Sequence, residues 1–430
     1  MNLFTAYLKE GLYLVDKALN SINREIISDE RSHEYKEEFI DSKEIVSKAN
    51  TGYSCNGEHF LPADCANFAV TGISGVGKSS VLSYPTLQNI NNNYIVNDCS
   101  GELLSGAGKL VDNAFTIKVT NISHPEKSNG FFNPLSYIKN HSDIFRIVHL
   151  IVIFTLSGSS EKFWAIQSEN ILSLVIRILL YQDRKFLNLT NVRHVIEMLG
   201  GANTTFVDKL VFETNNPEII NTYKSHLAVD IKTRSNIIAS ALSCLQHWAN
   251  PSIQQLTSYD SMDLHLLKSD KYALFIQSET LHQSYNSLIT SLLVRQIITE
   301  IMSDIPDSNS RRIFLLLDEF SSMYIPDIDI IISNIRKYRS SLCIMIQSYS
   351  QLESRYDARI AKTILTNCAA RLFFTALDYE TASQLSNELG KYSYGENGSR
   401  KERELITSQE LDACQRMKPF CCTIIQVRQN

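Results

Sequence analysis

The stretch Gly72–Ser79, GISGVGKS, satisfies the phosphate-loop spacing G-x-x-x-x-G-K-[ST] at every position. The residues before it, Asn67-Phe-Ala-Val-Thr71, are short, apolar and β-branched, which predicts a buried strand. Ser79, Ser80, Val81 and Leu82 then open a helical stretch. A strand, a glycine turn and a helix start aim backbone N–H groups at one point, where the helix dipole also favours an anion. In that geometry Gly72, Gly75 and Gly77 allow the backbone to close on phosphate oxygens, with Ser80 beside them. Lys78 reaches the β- and γ-phosphates and the Ser79 hydroxyl ligates Mg²⁺. The competing reading is a glycine turn that fits by accident. The strand placed directly before it favours a site for ATP with Mg²⁺.

A chain of 430 residues is long for one domain, so two or three units are expected, and a 44% apolar share is that of a globular protein. The nine cysteines include no C-x-x-C pair and no Cys/His cluster. Neither a zinc site nor a disulfide framework is indicated; reduced, buried cysteines of a cytosolic protein are expected. The N-terminus, MNLFTAYLKEGLYLVDKAL, carries charges at helical intervals and is neither a signal peptide nor a membrane span. The most apolar run, Ile147 to Leu156, is too short to cross a bilayer. A net charge of -5 exerts no general pull on nucleic acid, so DNA contact would need local basic residues or a pore built by several subunits.

Along the chain, residues 1–51 read as a helical, charged region. A β-rich approach (Gly52 to Ala66) leads into the phosphate loop, and residues 52–134 form the first part of the ATPase core. Strands are expected at Tyr94–Asp98 and Phe115–Val119. Over 135–235 apolar residues recur at helical spacing and strand signals vanish, so an all-helical inserted domain is expected. Residues 236–430 return to the core, with strands at Tyr272–Ile276, Ile313–Leu317, Leu342–Ile346 and Arg371–Thr375. Strands alternating with helices imply a parallel sheet, hence an α/β class. The charged segment Tyr392 to Glu404 reads as a mobile loop.

Ile313-Phe-Leu-Leu-Leu is an apolar strand that ends on Asp318-Glu319. In phosphate-loop ATPases an acid placed like Asp318 holds Mg²⁺, and a following glutamate polarises the attacking water. A helix cap at Asp318 is the alternative. Gln347 ends the next strand, where an amide senses the γ-phosphate or orients water; a surface glutamine is the alternative. Between them, Ile335-Arg336-Lys337-Tyr338-Arg339 is either a solvated basic helix end or the source of an arginine that reaches a neighbouring subunit's nucleotide. His149, His194 and His265 show no partner spacing and read as structural. Trp164 and Trp248 read as core aromatics, although Trp164 in a groove would suit base stacking.

Together these residues resemble the coupling-protein ATPases of type IV secretion and conjugation, the TraD/TraG type. The likeness runs from about Gly52 to Pro419. Beyond the phosphate loop it includes Ile95-Val-Asn-Asp98-Cys-Ser-Gly101-Glu102-Leu103, similar to the family's apolar-D-P-K-G-E segment. Phe132-Asn133-Pro134-Leu135 is like its Y-N-P-L, and Leu315 to Asp357 is like its L-L-D-E-F, basic pair, strand and Q-S-x-S-Q-L. Asn367, Thr381 and Gly390 continue it, and Leu405 to Leu411 is similar to the closing L-L-T-x-x-E-L. Cys99-Ser100 stands where the family carries Pro-Lys. The resemblance implies a RecA-like P-loop ATPase core with a helical domain that recognises substrate, assembled as a homo-hexamer. It implies Arg336 as an arginine finger and Gln347 as the γ-phosphate sensor. It also implies delivery of single-stranded DNA with its bound relaxase to a secretion channel or membrane partner protein. The family's N-terminal membrane helices have no counterpart here, so the expectation is a bacterial cytoplasmic protein held peripherally at the inner membrane through a partner. A soluble DNA translocase of a mobile element or defence system, and a nucleotide-dependent adaptor that recruits protein substrates, remain as alternatives.

Overall fold

Runs such as Phe68–Val70 and Ile313–Leu317 carry no polar side chain to face water, so strands built on them must be covered on both faces. In the computed structural model this is what happens. The structure describes residues 53–55, 58–59, 66–156, 162–201, 203–374, 377–394, 401–404, 407–409 and 422–427. The helical reading of residues 1–51 lies outside these, as do Cys421 and much of the closing motif around Glu410.

Twelve strands are numbered in chain order: β1 Ser54–Cys55, β2 Glu58–His59, β3 Asn67–Thr71, β4 Asn92–Asn97, β5 Thr116–Asn121, β6 Tyr272–Gln277, β7 Arg312–Leu317, β8 Ser340–Ile346, β9 Cys368–Phe374, β10 Lys391–Tyr394, β11 Lys401–Glu404 and β12 Cys422–Val427. Eight of them form one sheet in the order β12-β9-β3-β8-β7-β4-β6-β5. The pairs β9–β3, β3–β8, β8–β7 and β7–β4 are parallel, and β12 closes one edge antiparallel to β9. Strands β3, β4 and β8 are buried at every position, including the polar Asn92, Asn93 and Asn97 of β4 and Ser340 and Ser341 of β8. Phe68, Val70, Tyr94, Val96, Phe314, Leu316, Met345 and Leu372 share one hydrophobic core with Leu82 and Leu87 of the stretch after the phosphate loop. Each expected strand is present, within a few residues of its expected bounds.

One expectation is corrected. The segment Tyr392 to Glu404 is a two-stranded antiparallel hairpin at its base, β10 with β11, pairing Lys391 with Glu404 and Tyr394 with Lys401. Its charges and glycines signal a loop in one dimension. Cross-strand pairing, which that signal does not contain, turns both arms into strands.

The described residues divide into two compact units. One runs up to Ile117 and takes in Leu266–Phe275 and the chain from Ile301 onward; it holds the phosphate loop. The other comprises Lys118–His265 and Ile276–Glu300. In the second unit the helices His141–Thr155, Lys162–Leu179, Leu189–Gly200, Thr205–Glu213, Pro217–Leu227 and Ile231–Cys244 follow one another with no strand between them among the described residues. Helicity continues past Ser235, because Ile231–Cys244 runs through it. Asn140, Asn188, Asn216 and Asp230 each accept a backbone N–H at a helix start, the use to which short polar side chains are best suited. Lys162–Leu179 buries Ile171, Leu172, Leu174, Val175, Ile176, Ile178 and Leu179, a set too wide for one stripe, so it is the central helix of this unit. Trp248 is fully buried and donates to Thr257 Oγ1 at 3.0 Å, while Trp164 is half-buried edge-on to Phe163.

Candidate nucleotide site

β3 delivers the chain into the phosphate loop at the carboxyl edge of the sheet, where open α/β folds place their ligands. Gly72 is anchored there by its N–H, which donates to Ile346 O of β8 at 3.1 Å. A Cβ on Gly72 would lie 2.7 Å from Phe374 Cβ, so only glycine fits that approach. Gly75 and Gly77 hold φ of 83° and 96°, a left-handed conformation that side chains resist. Around Gly75 nothing lies within 4 Å of a built Cβ, so the loop is open on that side.

The helical turn Ser79–Ser83 starts at Lys78 with no side-chain cap, whereas His141–Thr155, Leu189–Gly200, Pro217–Leu227 and Ile231–Cys244 are capped by Asn or Asp. Its first N–H groups therefore have no side-chain acceptor and face the loop, a fit for phosphate oxygens. Lys78 is only 7% exposed. Its ammonium donates to Gly72 O at 2.6 Å and Ile73 O at 3.4 Å, so the cation sits inside the loop it serves.

β8 lies between β3 and β7, which brings Gln347 between the phosphate loop and Asp318-Glu319. Gln347 Nε2 donates to both Glu319 carboxylate oxygens at 3.0 Å and approaches Ser74 Oγ at 3.4 Å. Glu319 has φ 50° and ψ 45°, left-handed geometry that costs a non-glycine residue about 1–2 kcal/mol. Such strain persists where the surroundings hold it, and it clusters at working sites. Asp318 accepts the Glu319 N–H at 3.0 Å. Burial pushes its carboxyl above the usual carboxylate range; Lys78 opposes that rise, and the neighbouring Glu319 adds to it. A carboxylate so placed gains by meeting a cation, and a carboxylate and a hydroxyl such as that of Ser79 are oxygen donors of the kind Mg²⁺ takes.

Arg336 is not brought to this cluster. It is exposed, in the short helix Ile335–Tyr338 that precedes β8, whereas the phosphate loop lies beyond the far end of that strand. Seven residues of β8 separate the two edges, roughly 20 Å at the usual rise. Arg336 cannot therefore serve the phosphate loop of its own chain.

Two features escaped the sequence reading. Asn97, at the end of β4, donates from Nδ2 to Asp318 O at 2.6 Å and to Cys99 Sγ at 3.3 Å. Asp98 is buried and accepts from Leu103 N at 3.1 Å and Leu104 N at 3.0 Å, fixing the turn beyond β4. The nearby Cys99 thiol is raised to about 12 by burial and by Asp318 and Glu319, so it stays protonated. In one dimension the trace is the pair Asn97-Asp98 that ends Tyr94-Ile-Val96, within the segment similar to the family's apolar-D-P-K-G-E. His149 pairs with Glu169 at 2.6 Å and His194 with Glu197 at 3.3 Å.

Comparison with known proteins bears on the family and the fold. A stretch of 152 residues, 35% of the chain, is 24% identical to protein VirD4 of Rhizobium rhizogenes and covers 23% of that protein. Another of 136 residues is 27% identical to coupling protein TraD of Escherichia coli (strain K12), covering 18% of it. These matches span about a quarter or less of the curated relatives' own length. Among solved structures, the unbound bacterial conjugative coupling protein TrwBdeltaN70 superposes with a TM-score of 0.70 at 18% identity, over 90% of this chain and 88% of that one. Plasmid coupling protein TrwB in complex with ADP and Mg²⁺ gives 0.69 at 19%, over 87% and 88%. The fold is thus that of a RecA-like P-loop ATPase. The family model for type IV secretory system conjugative DNA transfer matches residues 19–417, nearly the whole length, and the chain belongs to that family.

Proposed function

We propose that this protein is an ATP-hydrolysing motor of the coupling type, which recruits or moves DNA or a DNA–protein complex in conjugative transfer. The observation that supports it most is the Glu319 carboxylate held by Gln347 beside the phosphate loop. Bound ATP with Mg²⁺ would supply an electrophilic γ-phosphoryl group and a cation to balance its charge. Gly72, Gly75, Gly77 and Ser80 would wrap the phosphates, and Lys78 would exchange its carbonyl partners for β- and γ-oxygens. Ser79 and Asp318 would hold the cation. Glu319 would polarise the attacking water, with Gln347 keeping it oriented and sensing the γ-phosphate.

Arg336, exposed on the opposite edge of the sheet, would complete the site of the next subunit in a homo-hexameric ring. The helical block is proposed to be a separate domain inserted in the ATPase core, recognising a DNA-bound protein such as a relaxase while the ring engages single-stranded DNA. Among the described residues no helix is long and apolar enough to cross a membrane. Placement at the inner membrane through a secretion-channel or membrane partner is part of the same proposal.

The test is ATP turnover with and without single-stranded DNA. Hydrolysis stimulated by DNA supports the motor. Hydrolysis indifferent to DNA favours an adaptor that recruits protein substrates. No hydrolysis in any assembly state sinks both.

A further inference from the structure

We propose that Asn97 is a positioning residue that holds Glu319 in its working geometry by pinning the peptide group between Asp318 and Glu319; this rests on the hydrolytic reading above. Asn97 is the last residue of β4 and stands opposite Leu317 of β7 in parallel register. Immediately after Leu317 the chain leaves strand geometry, because Glu319 is left-handed. A side chain carried past a strand end in extended geometry would alternate faces and point elsewhere. The turn is held from within by Glu319 N to Asp318 Oδ1 at 3.0 Å and by Ser322 N to Glu319 O at 2.8 Å. From outside, the Asn97 amide reaches Asp318 O at 2.6 Å.

That bond decides which way the Asp318–Glu319 peptide faces. Its carbonyl is turned toward β4, so the Glu319 side chain is thrown toward β8, where Gln347 meets both oxygens. Asn97 is 2% exposed, so water does not compete for its donor. The chemistry demands an amide here: an aspartate would face the Asp318 carbonyl with no donor, and an aliphatic residue would leave that carbonyl unpaired. Asn97 touches neither the phosphate loop nor the cation ligands' side chains in the bonds it makes, and acts through Glu319.

The experiment uses Asn97→Ala and Asn97→Ser, each alone and combined with Glu319→Gln. Affinity for a fluorescent ATP analogue, kcat and melting temperature are measured, and the crystal structure of Asn97→Ala is determined. The expected result is a kcat loss of about 10²-fold, typical of misplaced groups, with analogue affinity retained. In the Glu319→Gln background Asn97→Ala should cost nothing further. The Asn97→Ala structure should show Glu319 released from the left-handed region and parted from Gln347. Unchanged kcat, losses that multiply in the double variant, a parallel fall in affinity, or a variant structure that keeps Glu319 in place would each overturn the proposal. If the unaltered protein hydrolyses no ATP, the functional reading falls, and the variant structure alone still decides whether Asn97 sets the turn.

Discussion

Lys78 and Glu319 carry opposite tasks, and their surroundings show why each substitution should fail differently. Lys78 is buried inside the loop on two carbonyl groups, so its loss removes a cation placed to balance β/γ charge. Lys78→Ala should weaken ATP binding by about 10- to 100-fold, the usual range for a charge-assisted contact, as read by equilibrium titration. Glu319→Gln keeps the side chain's size and its approach to Gln347 but loses the basic oxygen. It should bind ATP normally and turn over about 10²–10⁴-fold more slowly. Normal single-turnover hydrolysis by Glu319→Gln protein would show that another group polarises the attacking water.

At the scale of elements, the strand–loop–helix unit works because its neighbours leave no slack. Tyr84, in the helix Tyr84–Leu87 after the phosphate loop, donates its hydroxyl to Glu102 O at 2.9 Å. Its ring lies so close to Gly106 that a Cβ there would come within 2.1 Å of Tyr84 Cδ1. Gly106→Ala must therefore displace an aromatic ring, an overpacking change that costs about 1–3 kcal/mol. A lowered melting temperature, with Tyr84→Ala/Gly106→Ala losing less than the sum of the single changes, is the expected signature. Additive losses would show that ring and glycine do not compete for one space. The elements themselves were largely legible in one dimension. Apolar β-branched runs marked the core strands, and apolar periodicity marked the helices His141–Thr155 and Lys162–Leu179. The hairpin β10–β11 was not legible, because its arms are charged and its stability comes from pairing.

For the whole molecule the informative residue is Arg336. It stands at the edge of the sheet opposite its own phosphate loop, exposed, so any catalytic use must be on another subunit. A guanidinium supplied across a subunit boundary stabilises charge developing on the γ-phosphoryl oxygens, worth about 10³-fold or more where it is essential. Arg336→Ala protein should bind ATP normally yet hydrolyse it poorly. Mixed with Lys78→Ala protein it should regain part of the activity, because each variant supplies what its neighbour lacks. Activity per chain that is indifferent to protein concentration, together with no rescue on mixing, would leave Arg336 a solvated surface charge.

By itself the sequence determined the phosphate loop, the strand ending on Asp318-Glu319, the amide at Gln347 and the helical character of the block after Leu135. These depend on local spacing, on strand and helix periods and on glycine conformations, all written in consecutive residues. Only the tertiary structure decided that β8 is laid between β3 and β7, which carries Gln347 to Glu319 across 28 residues of chain. It alone decided that Asn97 meets the Asp318 carbonyl across 221 residues. Strand order is set by which apolar faces and backbone ladders satisfy one another when all are packed together. That is a property of the whole sheet, and no segment of the chain contains it alone.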